Sequence, residues 1–135
     1  MEETTTATTG EDWLSFDDDA AFLQHIINQK PAEEIVPIPE WRTEVLCKAL
    51  SAEVRTAVAE LAYDPETKLT QYRKAFHLVV MGGCHNPSTG KQTFSAKHKD
   101  LLMRQMDGGP IELLAMKILR LSKMLANDVE DAKKN

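Results

Sequence analysis

The residue types best suited to chemistry lie in and around one glycine-flanked segment. Cys84 and His85 are adjacent there, and His77, His98 and Cys47 complete the set that offers thiolate or imidazole ligands for zinc. Zinc sites usually draw their ligands from pairs spaced as C-x2-C or H-x3-H, and neither spacing occurs in this sequence. A nucleophilic Cys–His pair would also need a third group to orient the imidazole, and none is identifiable. We therefore expect no metal site, no catalytic residue and no enzyme activity.

The same segment contains a partial match to a phosphate-binding loop at Gly90 and Lys91. The full motif requires a glycine five residues before Gly90 and a magnesium-binding hydroxyl after the lysine. These two positions hold His85 and Gln92. Pro87 would also remove one backbone N–H group from the phosphate cradle. We therefore expect neither a nucleotide nor any other cofactor.

Length and composition are those of one ordinary globular domain with tails. The 135 residues are 42% hydrophobic and 27% charged, which is enough to bury a core without metals or disulfides. No apolar run approaches the roughly 18–20 residues of a membrane span, and the chain start lacks a signal-peptide pattern. The two cysteines are expected to be free thiols in a reducing compartment, with a disulfide as the less favoured alternative. The protein is expected to remain in the cytoplasm where it is made.

Charge is distributed unevenly along the chain. Residues 1–40 carry ten acids and one base, whereas residues 41–135 carry fifteen bases and eleven acids. The acidic start disfavours a nucleic-acid surface there, and the remainder has no cluster of lysines and arginines interleaved with aromatic residues. We therefore expect no nucleic-acid partner and no membrane partner.

The elements that hold these residues are predicted to form a mainly helical α+β domain. The threonine-rich, acidic residues 1–12 are predicted to be a disordered arm, residues 13–126 a single domain, and residues 127–135 a charged tail. A short first helix should end before Pro31. The β-branched and proline-containing residues 35–50 predict a small β-hairpin after it, which turns near Trp41.

Three helices and one loop are predicted in the rest of the domain. Ser51 is a typical N-cap for a helix over residues 52–62, and a second helix over residues 69–81 should end at the following two glycines. The turn-rich residues 84–94 predict a tight loop or small hairpin, and Ser95 should cap a third helix to residue 106.

The last helix is the most apolar stretch and is predicted over residues 110–126, with Pro110 in its first turn. Five of its side chains recur at steps of three and four residues and are expected to form one buried stripe. The stripe consists of Ile111, Leu114, Ile118, Leu121 and Leu125. The predicted fold is thus a compact helical domain with a small β-hairpin and a long apolar C-terminal helix.

The other side of this helix is apolar too, which is typical of a helix with neighbours on both sides. Four of its residues, together with two methionines of the preceding helix, are predicted to bind a partner or a second copy of the chain, since methionine adapts to varied surfaces. This set comprises Leu113, Met116, Leu119, Met124, Met103 and Met106. The alternative interpretation is that these side chains fill the core of the monomer.

The order of these elements, together with three groups of residues, resembles a known family over about residues 33–126. The groups are Val36, Pro37, Pro39, Glu40 and Trp41; Ala49, Leu50, Ser51 and Arg55; and Gly90, Lys91, Phe94 and Ser95. In this respect the chain resembles the tail assembly chaperones of long-tailed bacteriophages of the siphovirus, lambda-like type. The resemblance lies in the pattern of elements, and this family has no catalytic signature.

The resemblance implies a host-cytoplasmic factor that binds the phage tape measure protein, keeps it soluble and helps to recruit tail tube protein. Such a factor is absent from the mature virion. The resemblance also implies a longer form of the protein made by ribosomal frameshifting, and Lys133 and Lys134 fit an adenine-rich slippery run. We expect this chain to be the short form and to form a homo-oligomer, as a ring or spiral.

Three other functions remain open from the sequence. The protein is alternatively a structural head-tail or tail component that is retained in the phage particle. A small nucleic-acid-binding regulator would show affinity that falls steeply with salt, and the missing basic stripe disfavours it. An enzyme that uses Cys84 and His85 is the third alternative.

Overall fold

The computed structural model of the protein describes residues 4–8 and 11–125, with side chains from Trp13 onward. The predicted charged tail therefore lies outside the described residues. Across the described part the α+β class is confirmed, because short helices combine with small antiparallel sheets. In these residues no helix is both long enough and apolar enough to cross a membrane.

Contacts divide the chain into a first unit, Met1–Lys30, and a second unit, Pro31–Asn135. This boundary differs from the predicted one, which placed all of residues 13–126 in one domain. Proline and polar residues at the boundary are typical of a linker.

The first unit contains a β-hairpin and one helix. Strands β1 (Thr4–Thr8) and β2 (Glu11–Ser15) are antiparallel, and helix α1 (Asp19–Ile27) follows. Asp18 is the N-cap, since its carboxylate accepts a hydrogen bond from the Ala20 N–H at 3.0 Å. The hairpin lies where the sequence predicted a disordered arm. The prediction followed from the low hydrophobicity of this segment, whereas its β-branched threonines favour extended backbone.

The second unit is built on a three-stranded antiparallel sheet. The predicted hairpin is confirmed as β3 (Glu33–Ile38) and β4 (Thr43–Lys48), joined by a 3₁₀ turn over Pro39–Trp41. Arg42 closes this turn with a φ of 54°. The β3 strand forms the outer edge of the sheet and includes Pro37, which is tolerated where the ring nitrogen faces away from the ladder.

Helix α2 (Ala52–Ala62) has the predicted bounds, and the Ser51 hydroxyl caps it by accepting from the Val54 N–H at 3.3 Å. The helix predicted over residues 69–81 is replaced by several shorter elements. Just before this region the chain turns at Lys68, which has a φ of 62°. The turn joins β5 (Tyr63–Asp64) to β6 (Leu69–Thr70).

A 3₁₀ turn at Tyr72–Ala75 leads into α3 (Phe76–Gly83), which ends the region predicted as one helix. Gly82 and Gly83 were predicted to end this helix, yet both are part of it. Their role is close packing: a Cβ atom on Gly83 would lie 2.6 Å from the side chain of Ile118. Without a side chain at Gly83, the helix is able to lie closer to Ile118 than any other residue at this position would permit.

Strand β7 (Cys84–His85) pairs with β4 and completes the sheet order β3-β4-β7. The segment predicted as a helix from Ala96 to Met106 is helical over residues 96–105, but it combines a 3₁₀ turn at Ala96–His98 with a π turn at Leu101–Gln105 and is not one regular α-helix. Within the π turn only Leu102 is buried, so this segment has too narrow an apolar face to anchor a regular helix.

The last helix, α4 (Gly108–Leu121), is shorter than predicted and ends before residue 126. The Ser122 hydroxyl accepts a hydrogen bond from the buried Leu50 N–H at 2.9 Å, and Lys123 has a left-handed φ of 59°. The left-handed backbone at Lys123 ends the helix, and the Met124 N–H closes the last turn by donating to the Leu119 carbonyl at 3.0 Å. The predicted length was therefore wrong.

The core lies between the sheet, α2, α3 and α4. Of the predicted stripe, Ile111, Leu114 and Ile118 are buried, whereas Leu121 and Leu125 are only half-buried. The buried face of α4 also includes Ala115, Leu119 and Ser122. The helix is thus rotated about its axis relative to the predicted stripe.

Candidate partner-binding surfaces

The six residues predicted to bind a partner occupy different environments. Met103 and Leu113 are 53% and 48% exposed, and Met106, Met116 and Met124 are half-buried. They are not gathered on one surface, because Met103 and Met106 line two separate depressions.

Leu119 is fully buried, so its assignment to an outward face was wrong. It lies one helical turn after Ala115, which is also buried, so both face the core from the same side of α4. A single-sequence pattern with leucines on both sides of a helix does not fix which side is inward.

The first depression, here named the hairpin cleft, has a volume of about 310 Å³. It lies between the β3–β4 turn and the loop that follows β7. Its apolar walls come from Trp41, Val45, Phe94 and Met106. Its polar lining residues are Thr43, Glu44, His85, Asn86, Ser88 and Thr93, and Pro87 completes the set.

The cleft exists because β7 leaves the sheet after two residues. Strand β7 pairs with β4 only opposite Leu46 and Cys47. The chain then turns at Asn86, whose N–H donates to the Lys91 carbonyl at 2.8 Å and whose carbonyl accepts from the Gly90 N–H at 2.7 Å. Residues 43–45 of β4 pair with β3 on one side, and on the β7 side they have no strand partner among the described residues.

Hydrogen bonds hold the part of the cleft wall that contains Phe94. The Gln92 amide donates to the carbonyl oxygens of Met81 and Phe94, and the Thr93 N–H donates to the Cys84 carbonyl at 3.0 Å. These bonds fix the backbone on both sides of Phe94, which remains half-buried. The cleft is consequently a preformed surface whose lining includes two aromatic side chains, Trp41 and Phe94.

The second depression, here named the α3 groove, has a volume of about 240 Å³. Phe76, Leu102, Met103 and Ile111 give it an apolar lining, and the polar side chains of Arg73, Lys74 and His77 complete it. The Arg73 guanidinium donates to Glu112 at 2.8 Å and lies 5.9 Å from the centre of the Phe76 ring. Burial, and secondarily the positive charge of Lys99, lower the pKa of His77.

The cysteines and histidines considered as zinc ligands are not gathered into a metal-binding group in the described part of the chain. Among those residues no group of three or more histidines, cysteines or acids is placed to hold a metal ion. Cys47 and Cys84 lie directly opposite each other on β4 and β7 as buried free thiols. A hydrogen bond with Cys47, together with burial, raises the pKa of the Cys84 thiol, which disfavours the reactive thiolate.

Sequence reasoning missed the hairpin cleft as a site. Trp41 was the available signal, since a tryptophan in a tight polar turn is often only partly covered, and tryptophan is enriched at binding hot spots. Val45 is close to Trp41 in the chain, but the walls formed by Phe94 and Met106 are more than forty residues away, which a pattern search along the sequence does not connect.

Comparison with known proteins identifies a solved structure with a similar fold. No protein-family model and no curated protein matches the chain. A solved structure, that of the bacteriophage HK97 tail assembly chaperone, matches with a TM-score of 0.51 at 18% sequence identity. The match covers 76% of this chain and 94% of the chaperone chain. The protein therefore has the fold of this phage tail assembly chaperone, which confirms the resemblance noted in the sequence.

Proposed function

We propose that the protein is a tail assembly chaperone of a long-tailed bacteriophage. It binds the tape measure protein in the host cytoplasm, keeps it soluble, helps to recruit tail tube subunits, and is absent from the finished virion. The shared fold is the observation that carries this proposal. The exposed apolar surfaces of the chain support it, because a chaperone of this kind must cover apolar side chains of its client.

The hairpin cleft is the proposed contact for the tape measure protein. Trp41, Phe94 and Met106 offer two aromatic walls and one adaptable thioether to an apolar side chain of a helical client. Each leucine-sized or phenylalanine-sized side chain that becomes fully buried there contributes about 1.5–3 kcal/mol. Several copies of the chaperone along one client would add such contributions and hide its apolar face.

Self-association belongs to the same proposal. Copies of the chain line up as a ring or spiral around the client, together with a longer form of the chain made by frameshifting near Lys133. Leu113, Met103, Met116 and Met124 stay assigned to contacts with other chains. Leu119 is removed from this set because it belongs to the core.

Co-expression with the tape measure gene of the same genome tests the client contact. The tape measure protein should become soluble and co-purify only when the chaperone is present. Trp41→Ala and Met106→Ala should each weaken the affinity for the client, and hence co-purification, by about five- to thirtyfold, because truncating a central anchor costs about 1–2 kcal/mol. Leu61→Ala is the matched control, since Leu61 is 45% exposed and lies outside both depressions.

An insoluble client in the presence of the wild-type chain would contradict the proposal. Mass spectrometry of purified virions provides an independent test, since a chaperone should be missing from them. Finding the chain there at a fixed copy number would instead support a structural tail or head-tail component. If the codons for Lys133 and Lys134 lack an adenine-rich run and only one product is expressed, the proposed frameshift is wrong.

A further inference from the structure

Cys47 and Cys84 are buried thiols that the proposed function does not use. They lie directly opposite each other on β4 and β7, so their side chains stand on the same face of the sheet. Both residues are 0% exposed, and the sequence contains no further cysteine. Within one chain, each of these thiols is therefore the sole disulfide partner that the other has.

Hydrogen bonds on either side define the kind of strand pair that the two cysteines form. The Ala49 N–H donates to the opposite carbonyl, that of Ala32, at 2.8 Å, so every second residue of β4 counted back from Ala49 directs its backbone groups toward β3. Cys47 is one of these residues. The Cys84 carbonyl accepts from the Thr93 N–H at 3.0 Å, on the side of β7 away from β4. Cys47 and Cys84 are therefore a non-hydrogen-bonded pair of the β4–β7 ladder.

This kind of pair brings the two thiols within the range of a disulfide. The Cα atoms of a non-hydrogen-bonded antiparallel pair lie about 4.5 Å apart, and disulfides span Cα separations of about 4.4–6.8 Å. The two thiols also share a hydrogen bond. The sulfur atoms therefore need only side-chain rotation, and no displacement of either strand, to form a bond.

The surroundings of the pair distinguish the two thiols chemically. The hydrogen bond from the Cys84 thiol lowers the pKa of Cys47, and the positive charge of Lys117 acts in the same direction, against burial and the charge of Glu34. The same hydrogen bond, together with burial, raises the pKa of Cys84. Cys47 is therefore the thiol that becomes the nucleophilic thiolate, while Cys84 keeps its proton.

We propose that Cys47 and Cys84 are a site of reversible oxidation, at which hydrogen peroxide converts the two thiols into a disulfide that joins β4 to β7. The Cys47 thiolate attacks one peroxide oxygen, so that an S–O bond forms, the O–O bond breaks, and hydroxide leaves and takes up the proton that Cys47 lost. The Cys84 sulfur then attacks the sulfenic sulfur of Cys47. The S–S bond forms, the S–O bond breaks, and the hydroxyl group leaves with the Cys84 proton as water. Two thiols and one peroxide thus give one disulfide and two waters.

The disulfide would act on the hairpin cleft. Val45 and His85, which line the cleft, lie two residues before Cys47 and one residue after Cys84. Strand β7 pairs with β4 over only two residues, so a covalent bond there strengthens a short attachment. The oxidised chain is consequently a form in which one end of the cleft is fixed. This site requires no client, so it does not depend on the proposed function.

The first test treats the folded 135-residue chain with a stoichiometric amount of hydrogen peroxide and follows it by mass spectrometry. The expected product is a monomer that has lost two hydrogen atoms, resists thiol alkylation, and yields a peptide in which Cys47 is linked to Cys84. Dithiothreitol should restore both thiols, whereas methionine sulfoxide adds oxygen and is not reduced by this reagent. The chain unfolded in urea is the control for reactivity of the thiols. A folded chain that keeps both thiols, or that forms only disulfide-linked dimers, would overturn the proposal.

The second test compares the Tm of the oxidised and reduced chains. The disulfide closes a loop over residues 47–84, and the freedom that the unfolded chain then loses should raise the Tm by about 5–15 °C. Cys47→Ala and Cys84→Ala each leave one thiol, so peroxide should give these variants no such rise. If a variant fails to fold, the wild type decides alone, since dithiothreitol should return its Tm to the reduced value. An unchanged or lowered Tm after disulfide formation would overturn the inference, because the folded strands would then not fit the disulfide.

Amide hydrogen exchange tests whether the disulfide holds β7 on β4. Leu46 and His85 are the hydrogen-bonded pair beside the cysteines, so the exchange of their N–H groups should slow at least about tenfold on oxidation. The Val54 N–H, which is capped by Ser51 at the start of α2, is the control. Unchanged exchange at Leu46 and His85 would overturn the assigned effect on the strand.

Discussion

Replacing Gly83 by alanine should destabilise the protein, although alanine is the better helix former. The added Cβ would lie 2.6–2.7 Å from three carbon atoms of Ile118, closer than carbon atoms approach without displacement. Ile118 is fully buried and β-branched, so its side chain has no free rotamer into which to move. Overpacking of this kind costs about 1–3 kcal/mol, and the helix propensity of alanine returns about 1 kcal/mol. We therefore expect Gly83→Ala to lower the free energy of unfolding by about 1–2 kcal/mol, the upper part of the range left after the propensity gain is subtracted from the packing cost.

Urea unfolding of a double-mutant cycle measures this effect. Ile118→Ala removes all three clashing atoms, so Gly83→Ala should become neutral or stabilising by up to about 1 kcal/mol in that background. The interaction energy between the two sites should therefore be about 1–3 kcal/mol. Gly108→Ala is the matched control, because a Cβ at Gly108 meets no atom within 4 Å. Additive effects of Gly83→Ala and Ile118→Ala, or a stabilising Gly83→Ala alone, would refute the packing argument.

Three further predictions follow from buried groups. Leu119→Asp should unfold the protein, because it buries an unpaired charge, whereas Met116→Asp should leave it folded. Thermal denaturation measures this difference, and a folded Leu119→Asp variant would contradict the observed burial. Ser122→Ala should cost about 1–3 kcal/mol in urea unfolding, since it leaves the buried Leu50 N–H without its acceptor, and an unchanged midpoint would speak against this role. Because burial lowers the pKa of His77 below its ordinary value of 6.5, the unfolded chain binds the proton more readily, so stability should fall as the pH drops through 6.5. His77→Gln should flatten that dependence, and an identical pH profile would exclude His77 as its source.

The local elements with strong backbone signals could be predicted from the sequence. Pro37 and Pro39 exclude helix, and the alternation around Val45 favours a strand, so the hairpin was found with its turn at Trp41. Ser51 fixed the start of α2 by side-chain capping, which is a local interaction. Signals of this kind depend on neighbours within four residues, and the structure agrees with them.

Elements set by distant contacts could not be predicted in the same way. Ser122, which follows α4, is buried and accepts a hydrogen bond from the N–H of Leu50, 72 residues away in the chain. Gly83 appeared to be a helix breaker, yet its missing side chain makes room for Ile118 of another helix. The inward direction of Leu119 and the walls of the hairpin cleft likewise depend on which helices and loops meet in space.

The outer strand of the sheet also limits how copies of this protein come together. Pro37 offers no backbone donor, and two glutamates near the start of the strand are paired with Lys48 and Lys117 of the same chain. An edge with a proline and charged side chains is a poor template for another strand. In the proposed assembly of many copies on one client, growth of fibrils through this edge is therefore disfavoured, which leaves side-chain surfaces to join the copies.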